Sequence, residues 1–65
     1  MTIGEKIKEE RKRGGLTQKE LGNRMGIDAS TVRKYESGKL KPKLETVQKL
    51  AQALHIDVGV LYGVE

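Results

Sequence analysis

The sequence predicts a compact all-α fold of five short helices. Apolar residues recur at intervals of three and four, the spacing that places them on one face of a helix. Residues that begin and end helices are frequent, and no segment alternates between apolar and polar residues as a half-buried strand does. A chain of 65 residues has room for one domain, residues 1–65, with a small core.

The first helix is predicted over about residues 2–13. Thr2 followed by Glu5 fits a capping box, in which each side chain accepts a hydrogen bond from the other residue's backbone amide. Glu10 falls on the apolar stripe of this helix, and we expect its carboxylate to reach solvent at the rim of the core. The inner face carries Ile3 and Ile7.

The second and third helices are predicted over about residues 17–25 and 28–37, joined by a short turn that contains Gly26. Such a turn is typical of helices that cross steeply, and the small residue Gly22 suits their close approach. Because glycine has more backbone freedom to lose than alanine, we expect Gly22→Ala to stabilise the fold by about 0.5–1 kcal/mol. Thr17 with Glu20 fits a capping box at the start of the second helix, and Asp28 is an N-cap candidate for the third. The inner faces of the two helices carry Leu21, Met25, Val32 and Tyr35.

The fourth and fifth helices are predicted over about residues 44–55 and 57–62. Asp57 is an N-cap candidate for the fifth helix, and Lys43 occupies the N-cap region of the fourth. The apolar face of the fourth helix is predicted to consist of Leu44, Val47, Leu50, Ala51 and Leu54.

Composition argues against several classes of protein. There is no cysteine and a single histidine, His55, so neither a disulfide scaffold nor a zinc site built on Cys and His is available. No catalytic arrangement or phosphate-binding loop stands out, and we expect no enzyme activity, metal or cofactor. No apolar run could span a membrane, and the N-terminal MTIGEKIKEE lacks the apolar segment of a secretory signal, so we expect a soluble, cytoplasmic protein.

The net charge of +4 favours an acidic partner such as nucleic acid. Between Arg33 and Lys43, five basic residues accompany one acidic residue, Glu36. The alternative explanation of this run is an ordinary solvated surface.

Three stretches of the chain carry an ordered series of motifs. They are IGEKIKEERKRGGLTQKEL, MGIDASTVRKYESGKLKPKLETVQKLAQAL and HIDVGVLYG, and together they cover nearly the whole chain. These stretches resemble the lambda-repressor/Cro-like (XRE) family of helix-turn-helix DNA-binding domains. The resemblance implies a five-helix lambda-repressor-like fold with its helix-turn-helix unit at about residues 17–37. It also implies that the third helix enters the major groove of DNA.

The third helix carries the residues that the resemblance places against base edges. They are Ala29, Ser30, Arg33 and Lys34. Small side chains on the first turn let the helix lie deep in the groove, where Ala29 can contact a thymine methyl group and Ser30 can donate or accept. Arg33 suits bidentate reading of guanine, and Lys34 can read a base or hold a phosphate.

A second group of residues is expected on the DNA backbone. It comprises Thr17, Gln18, Ser37, Lys39, Lys41 and Lys43. Arg11 and Glu36 resemble a family pair that joins the first helix to the end of the third. We interpret this pair as structural, because a carboxylate that faced the phosphates would be unfavourable.

These features predict a sequence-specific transcriptional regulator of bacterial or phage type that binds double-stranded DNA, a repressor rather than an activator. The alternative is a protein-interaction module, for example an antitoxin-like partner, that keeps the fold without reading DNA. One domain covers about half an operator, so we expect a homodimer on a pseudo-palindromic site. The candidate dimer residues are His55, Val58, Val60 and Tyr62, although Val60 and Tyr62 could equally close the core.

Overall fold

The structure, a computed structural model, describes residues 1–63 and contains α-helices but no β-strand within them. The helices are α1 (Ile3–Arg13), α2 (Gln18–Met25), α3 (Ala29–Ser37), α4 (Leu44–Leu54) and α5 (Val58–Leu61). The all-α prediction is confirmed, and every helix begins and ends within one residue of its predicted bounds. No helix within these residues is both long and apolar enough to cross a membrane.

Both predicted capping boxes form. Thr2 Oγ1 accepts from Glu5 N at 3.1 Å while Glu5 Oε1 accepts from Thr2 N at 2.8 Å. The corresponding distances in the pair of Thr17 and Glu20 are 3.0 and 2.9 Å. In each box the threonine amide is the main cause of a lowered pKa of the glutamate. The starts of α1 and α2 are thus fixed by residues close in sequence.

The core contains apolar side chains from all five helices. They are Ile7, Leu21, Val32, Val47, Leu50, Ala51 and Leu61. The prediction for Leu44 is wrong, because this side chain is 60% exposed. Leu44 is the first residue of α4, and it precedes the part of that helix that is buried.

Glu10 is also placed differently from the prediction. Its side chain is only 4% exposed rather than solvated at the rim. The nitrogens Lys6 Nζ and Arg13 Nη2 lie 3.9 and 3.7 Å from Glu10 Oε2, which accepts no hydrogen bond from residues 1–63. Lys6 and Arg13 are each about one helical turn from Glu10 on α1, and their positive charges offset the charge of its carboxylate.

Two glycines let helices meet through their backbones. A Cβ atom on Gly22 would lie 2.6 Å from Ile27 O, and one on Gly4 would lie 2.5 Å from the carbonyl oxygens of Tyr35 and Glu36. Neither contact is possible without a backbone shift. The expectation that Gly22→Ala stabilises the fold is therefore wrong, because the methyl group would collide with the turn that leads into α3.

The turn between α2 and α3 sets the direction of the third helix. Gly26 adopts the left-handed conformation (φ 74°, ψ 27°), which glycine adopts readily because it has no Cβ. The next residue, Ile27, donates its backbone N–H to Gly22 O at 2.9 Å. Asp28 then caps α3, so the chain passes from one helix to the next without a relaxed loop.

Candidate nucleic-acid interface

The outward face of α3 is polar and basic. Ser30, Arg33, Lys34 and Ser37 are exposed, Ala29 is half-buried at the margin, and Val32 is fully buried on the opposite side. Three of the four side chains predicted to read bases lie on this exposed face, and the fourth, Ala29, lies at its margin. Its first turn presents small side chains only, so the backbone of α3 can approach another molecule closely.

Three hydrogen bonds to one carboxylate oxygen fix the start of α3. Asp28 Oδ1 accepts from Thr31 Oγ1 at 2.6 Å, from Thr31 N at 3.0 Å and from Ser30 Oγ at 3.0 Å. These bonds, led by those from Thr31, lower the pKa of Asp28. The hydroxyl of Ser30 uses its only hydrogen in this cap, so its lone pairs remain to accept from a base.

A buried ion pair holds α1 against the end of α3. Arg11 Nε donates to Glu36 Oε2 at 2.6 Å and Arg11 Nη2 donates to Glu36 Oε1 at 3.1 Å. Gln18 Nε2 also donates to Glu36 Oε1, at 3.1 Å. The resemblance implies the ion pair but not the bond from Gln18. Three helices thus meet at one carboxylate, and Gln18 keeps a second amide hydrogen for an external acceptor.

The start of α2 has two backbone amides to spare. The amides of Thr17 and Glu20 are occupied by the capping box. Those of Gln18 and Lys19 belong to the first turn, where the helix supplies no acceptor. An anion beside this turn would meet unpaired N–H groups and the positive end of the helix.

Three exposed lysines follow α3 on the way to α4. They are Lys39, Lys41 and Lys43, and none of them pairs with a carboxylate of residues 1–63. Ser37 Oγ donates to Lys34 O at 3.2 Å and accepts from Lys39 N at 3.4 Å. Ser37 must release Lys34 O before its hydroxyl can donate to a phosphate.

The four candidate dimer residues lie at the end of α4 and in and after α5. His55 is exposed and ends α4 in the left-handed conformation, with φ 57°. Tyr62 is 50% exposed. Val58 and Val60 are half-buried, and Val58 packs against the core. His55 and Tyr62 therefore offer more surface to a partner than the two valines do.

A depression of about 130 Å³ lies where α1, α2 and α3 meet. It is lined by Lys8, Gln18, Arg33, Glu36 and Ser37. The sequence predicts roles for four of these residues but none for Lys8. The signal for Lys8 is its spacing from Gly4 and Arg11, the α1 residues that touch α3, because positions separated by four and three share one helix face.

A second depression, of about 270 Å³, lies at the other end of α2. It is lined by Arg24, Met25, Lys49, Gln52 and Ala53. Arg24 Nη1 donates to Ala53 O at 2.8 Å, which satisfies a carbonyl left over at the end of α4. No pattern in the sequence predicts this contact. Within residues 1–63 no group of three His, Asp or Glu side chains could hold a metal ion.

Comparison with known proteins assigns the family. A helix-turn-helix family model matches residues 7–61, which include every helix except the first turn of α1. The chain belongs to the helix-turn-helix family of lambda-repressor/Cro-like (XRE) proteins. Among solved structures, this helix-turn-helix chain is similar to the restriction-modification controller protein C.AhdI from Aeromonas hydrophila. The TM-score is 0.87 at 36% sequence identity, covering 91% of this chain and 86% of that one.

The helix-turn-helix chain is also similar to proteins named as repressors. It is 36% identical over 63 residues to the cryptic phage CTXphi transcriptional repressor RstR of Vibrio cholerae. The matched region covers 97% of this chain and 56% of RstR. A crystal structure of the P22 c2 repressor with a synthetic operator matches with a TM-score of 0.85 at 26% identity, covering 94% of this chain and 92% of that one. The chain spans about half the length of the curated relatives it matches.

Proposed function

We propose that the protein is a sequence-specific transcriptional repressor of bacterial or phage type, in which residues 1–65 act as one domain that binds double-stranded DNA. The observation that carries this proposal is the exposed face of α3, where small residues on the first turn precede Arg33 and Lys34. The names of the relatives support it, as does the operator complex of the P22 c2 repressor. A repressor of this type acts in the cytoplasm, where the bacterial or phage DNA lies.

In this proposal α3 lies in the major groove and four side chains read bases. Ala29 contacts a thymine methyl group, and Ser30 accepts from the N4 amine of cytosine or the N6 amine of adenine, since its own hydrogen is bonded to Asp28. Arg33 donates two hydrogen bonds to guanine O6 and N7. Lys34 reads a neighbouring base or holds a phosphate.

The phosphate contacts lie on either side of α3. Thr17 and Gln18 approach one stretch of backbone from the start of α2, and Lys39, Lys41 and Lys43 approach another from beyond the end of α3. Ser37 joins them when its hydroxyl turns away from Lys34 O. These contacts supply affinity and salt dependence and carry little sequence information.

We further propose that the protein binds its operator as a homodimer. One recognition helix reads about half an operator, so two copies related by a two-fold axis read a pseudo-palindrome. His55 and Tyr62 supply the exposed part of the contact, and Val58 and Val60 supply its apolar base. Val60→Asp is then expected to weaken binding to a full site far more than binding to an isolated half-site, whereas an equal loss on both sites would assign Val60 to the core.

The decisive experiment is selection of bound sequences from random duplex DNA at one fixed salt concentration. We expect enrichment of a pseudo-palindrome whose half-site centres lie about 10–10.5 base pairs apart. On the selected site, changing both Lys39 and Lys41 to Gln should weaken all sequences alike and reduce the salt slope by about one unit per lost contact. Failure to enrich any sequence, without salt-dependent binding, would contradict the proposal and favour the protein-interaction module.

A further inference from the structure

Lys8 occupies an unusual position on α1. Gly4 touches the carbonyl oxygens at the end of α3, and Arg11 forms the ion pair with Glu36. Lys8 lies between them on the same side of α1, yet its side chain is exposed and lines the 130 Å³ depression. The packing of α1 on α3 thereby places an ammonium group next to Gln18 and Arg33.

The residues that line the depression carry a net positive charge. The one acidic group in its lining is Glu36, whose two oxygens accept from Arg11 and Gln18. The guanidinium of Arg11 offsets the charge of this carboxylate. Lys8 and Arg33 form no ion pair with any carboxylate of residues 1–63. Two unpaired cations and the second amide hydrogen of Gln18 therefore border a space that suits a small anionic group.

We infer that this depression seats one phosphate of the DNA backbone, and that Lys8 of α1 is a DNA contact together with Gln18 of α2. The inference rests on the proposed function, since it names the DNA group that occupies this surface. The phosphate is held by the ammonium group of Lys8 and by the Gln18 amide, whose orientation is set by its bond to Glu36. Held there, it fixes how deeply α3 enters the groove and so positions Arg33 beside a base edge.

The test compares Lys8→Gln with Lys49→Gln on the selected site over a series of salt concentrations. Both lysines are exposed and both line a depression, but Lys49 lies on α4 near the other end of α2. We expect Lys8→Gln to lower the salt slope by about 0.9 per subunit, as one released counterion predicts. The ratio of wild-type affinity to Lys8→Gln affinity should therefore fall about threefold per subunit as salt rises from about 50 to about 200 mM. Lys49→Gln should keep the wild-type slope.

Replacement of single phosphates by neutral methylphosphonates locates the contact. For the wild type, several positions in each half-site should weaken binding, because the proposed function places several residues on phosphates. At one of these positions, both Lys8→Gln and Gln18→Ala should be insensitive to the replacement. An unchanged salt slope for Lys8→Gln, or equal changes for Lys8→Gln and Lys49→Gln, would overturn the inference while the proposed function stood. Absence of any DNA binding by the wild type would overturn both.

Discussion

The guanidinium of Arg11 donates two hydrogen bonds to the carboxylate of Glu36, with Nε–Oε2 and Nη2–Oε1 distances of 2.6 and 3.1 Å. Their side chains are 9% and 4% exposed, so the pair is screened little by water. Gln18 adds a third bond to the same carboxylate, and Arg11 Nη1 also donates to Leu16 O at 2.8 Å. This network joins α1, the loop after it, and the beginning of α2 to the end of the proposed recognition helix.

Arg11→Ala is expected to destabilise the fold by about 3–5 kcal/mol, because it leaves the buried carboxylate of Glu36 without its cation. The double variant Arg11→Met/Glu36→Leu removes both charges and should recover much of that loss. Chemical denaturation of the two variants and the wild type measures the difference. A double variant no more stable than Arg11→Ala would show that the network stabilises the fold mainly through its other hydrogen bonds.

Gly22→Ala and Gly4→Ala are each expected to destabilise the fold by about 1–3 kcal/mol, because the added methyl group would overlap backbone carbonyl oxygens. The matched control is Gly14→Ala. Gly14 has φ −80°, and a Cβ there would meet nothing closer than 3.6 Å, so this variant should be neutral or gain up to about 1 kcal/mol. Thermal melts rank the three variants, and a higher Tm for Gly22→Ala would show that the turn after α2 yields easily.

The starts of the first three helices could be predicted from this sequence because local side-chain groups fix them. The hydroxyl of Thr17 and the carboxylate of Asp28 cap the helices that follow them, whatever the rest of the chain does. By contrast, Lys43 and Asp57 precede α4 and α5 without forming a side-chain cap, so the N-cap prediction for Asp57 is wrong in that respect. The sequence could not predict that a methyl group on Gly22 would overlap the backbone, because this depends on the distance between α2 and the turn that follows it. Leu44 shows the limit of periodicity, because helical spacing defines a face but not how far the core extends along it.

Part of the candidate site could likewise be predicted from the sequence, and part depends on tertiary packing. The exposed face of α3 follows from the burial of Val32, because helical geometry then fixes which neighbours point outward. The role inferred for Lys8 depends on the packing of α1 against α3, which brings residues distant in sequence to one depression. The bond from Gln18 to Glu36 could not be anticipated from spacing either, since it spans 18 residues and three helices meet there.

His55→Gly is expected to stabilise the fold by about 0.5–1 kcal/mol. His55 has φ 57°, a left-handed conformation that costs energy for a residue with a Cβ, and glycine adopts it freely. Gln52→Gly is the matched control, because this exposed residue lies inside α4 and glycine there should cost about 0.5–1 kcal/mol. Tm is measured at low protein concentration, where a dimer contact of His55 does not contribute to stability. A lower Tm for His55→Gly would show that the His55 side chain makes stabilising contacts within the monomer.

Acid should weaken the start of α3 through Asp28. Hydrogen bonds from Thr31 and Ser30 lower the pKa of this carboxylate in the folded protein. Its contribution to stability is therefore complete above the ordinary aspartate pKa of about 3.9 and is lost as the pH falls from there through the lower folded value. Asp28→Asn keeps a good cap but cannot titrate, so its Tm should fall less steeply with acid than that of the wild type. Parallel curves for the two proteins would contradict this linkage.

Arg33 distinguishes reading of DNA from simple attraction to it. Its exposed guanidinium follows Ser30 by one helical turn on the outward face of α3, so the two side chains can reach neighbouring base edges. Two parallel donors match guanine O6 and N7, and the single ammonium group of a lysine cannot reproduce that geometry. Arg33→Ala and Arg33→Lys should both lose the contact, although lysine keeps the charge.

The measurement is affinity for the selected site and for every single-base variant of it, at one salt concentration. Arg33→Ala should lose about 1–3 kcal/mol on the preferred site and little on random DNA, so preference relaxes at one base pair of each half-site. Arg33→Lys should show the same relaxed position while keeping the salt slope of the wild type, because a residue that reads a base contributes no phosphate contact. Equal weakening across the whole panel, rescued by lysine, would instead assign Arg33 to the phosphate in the depression that it shares with Lys8.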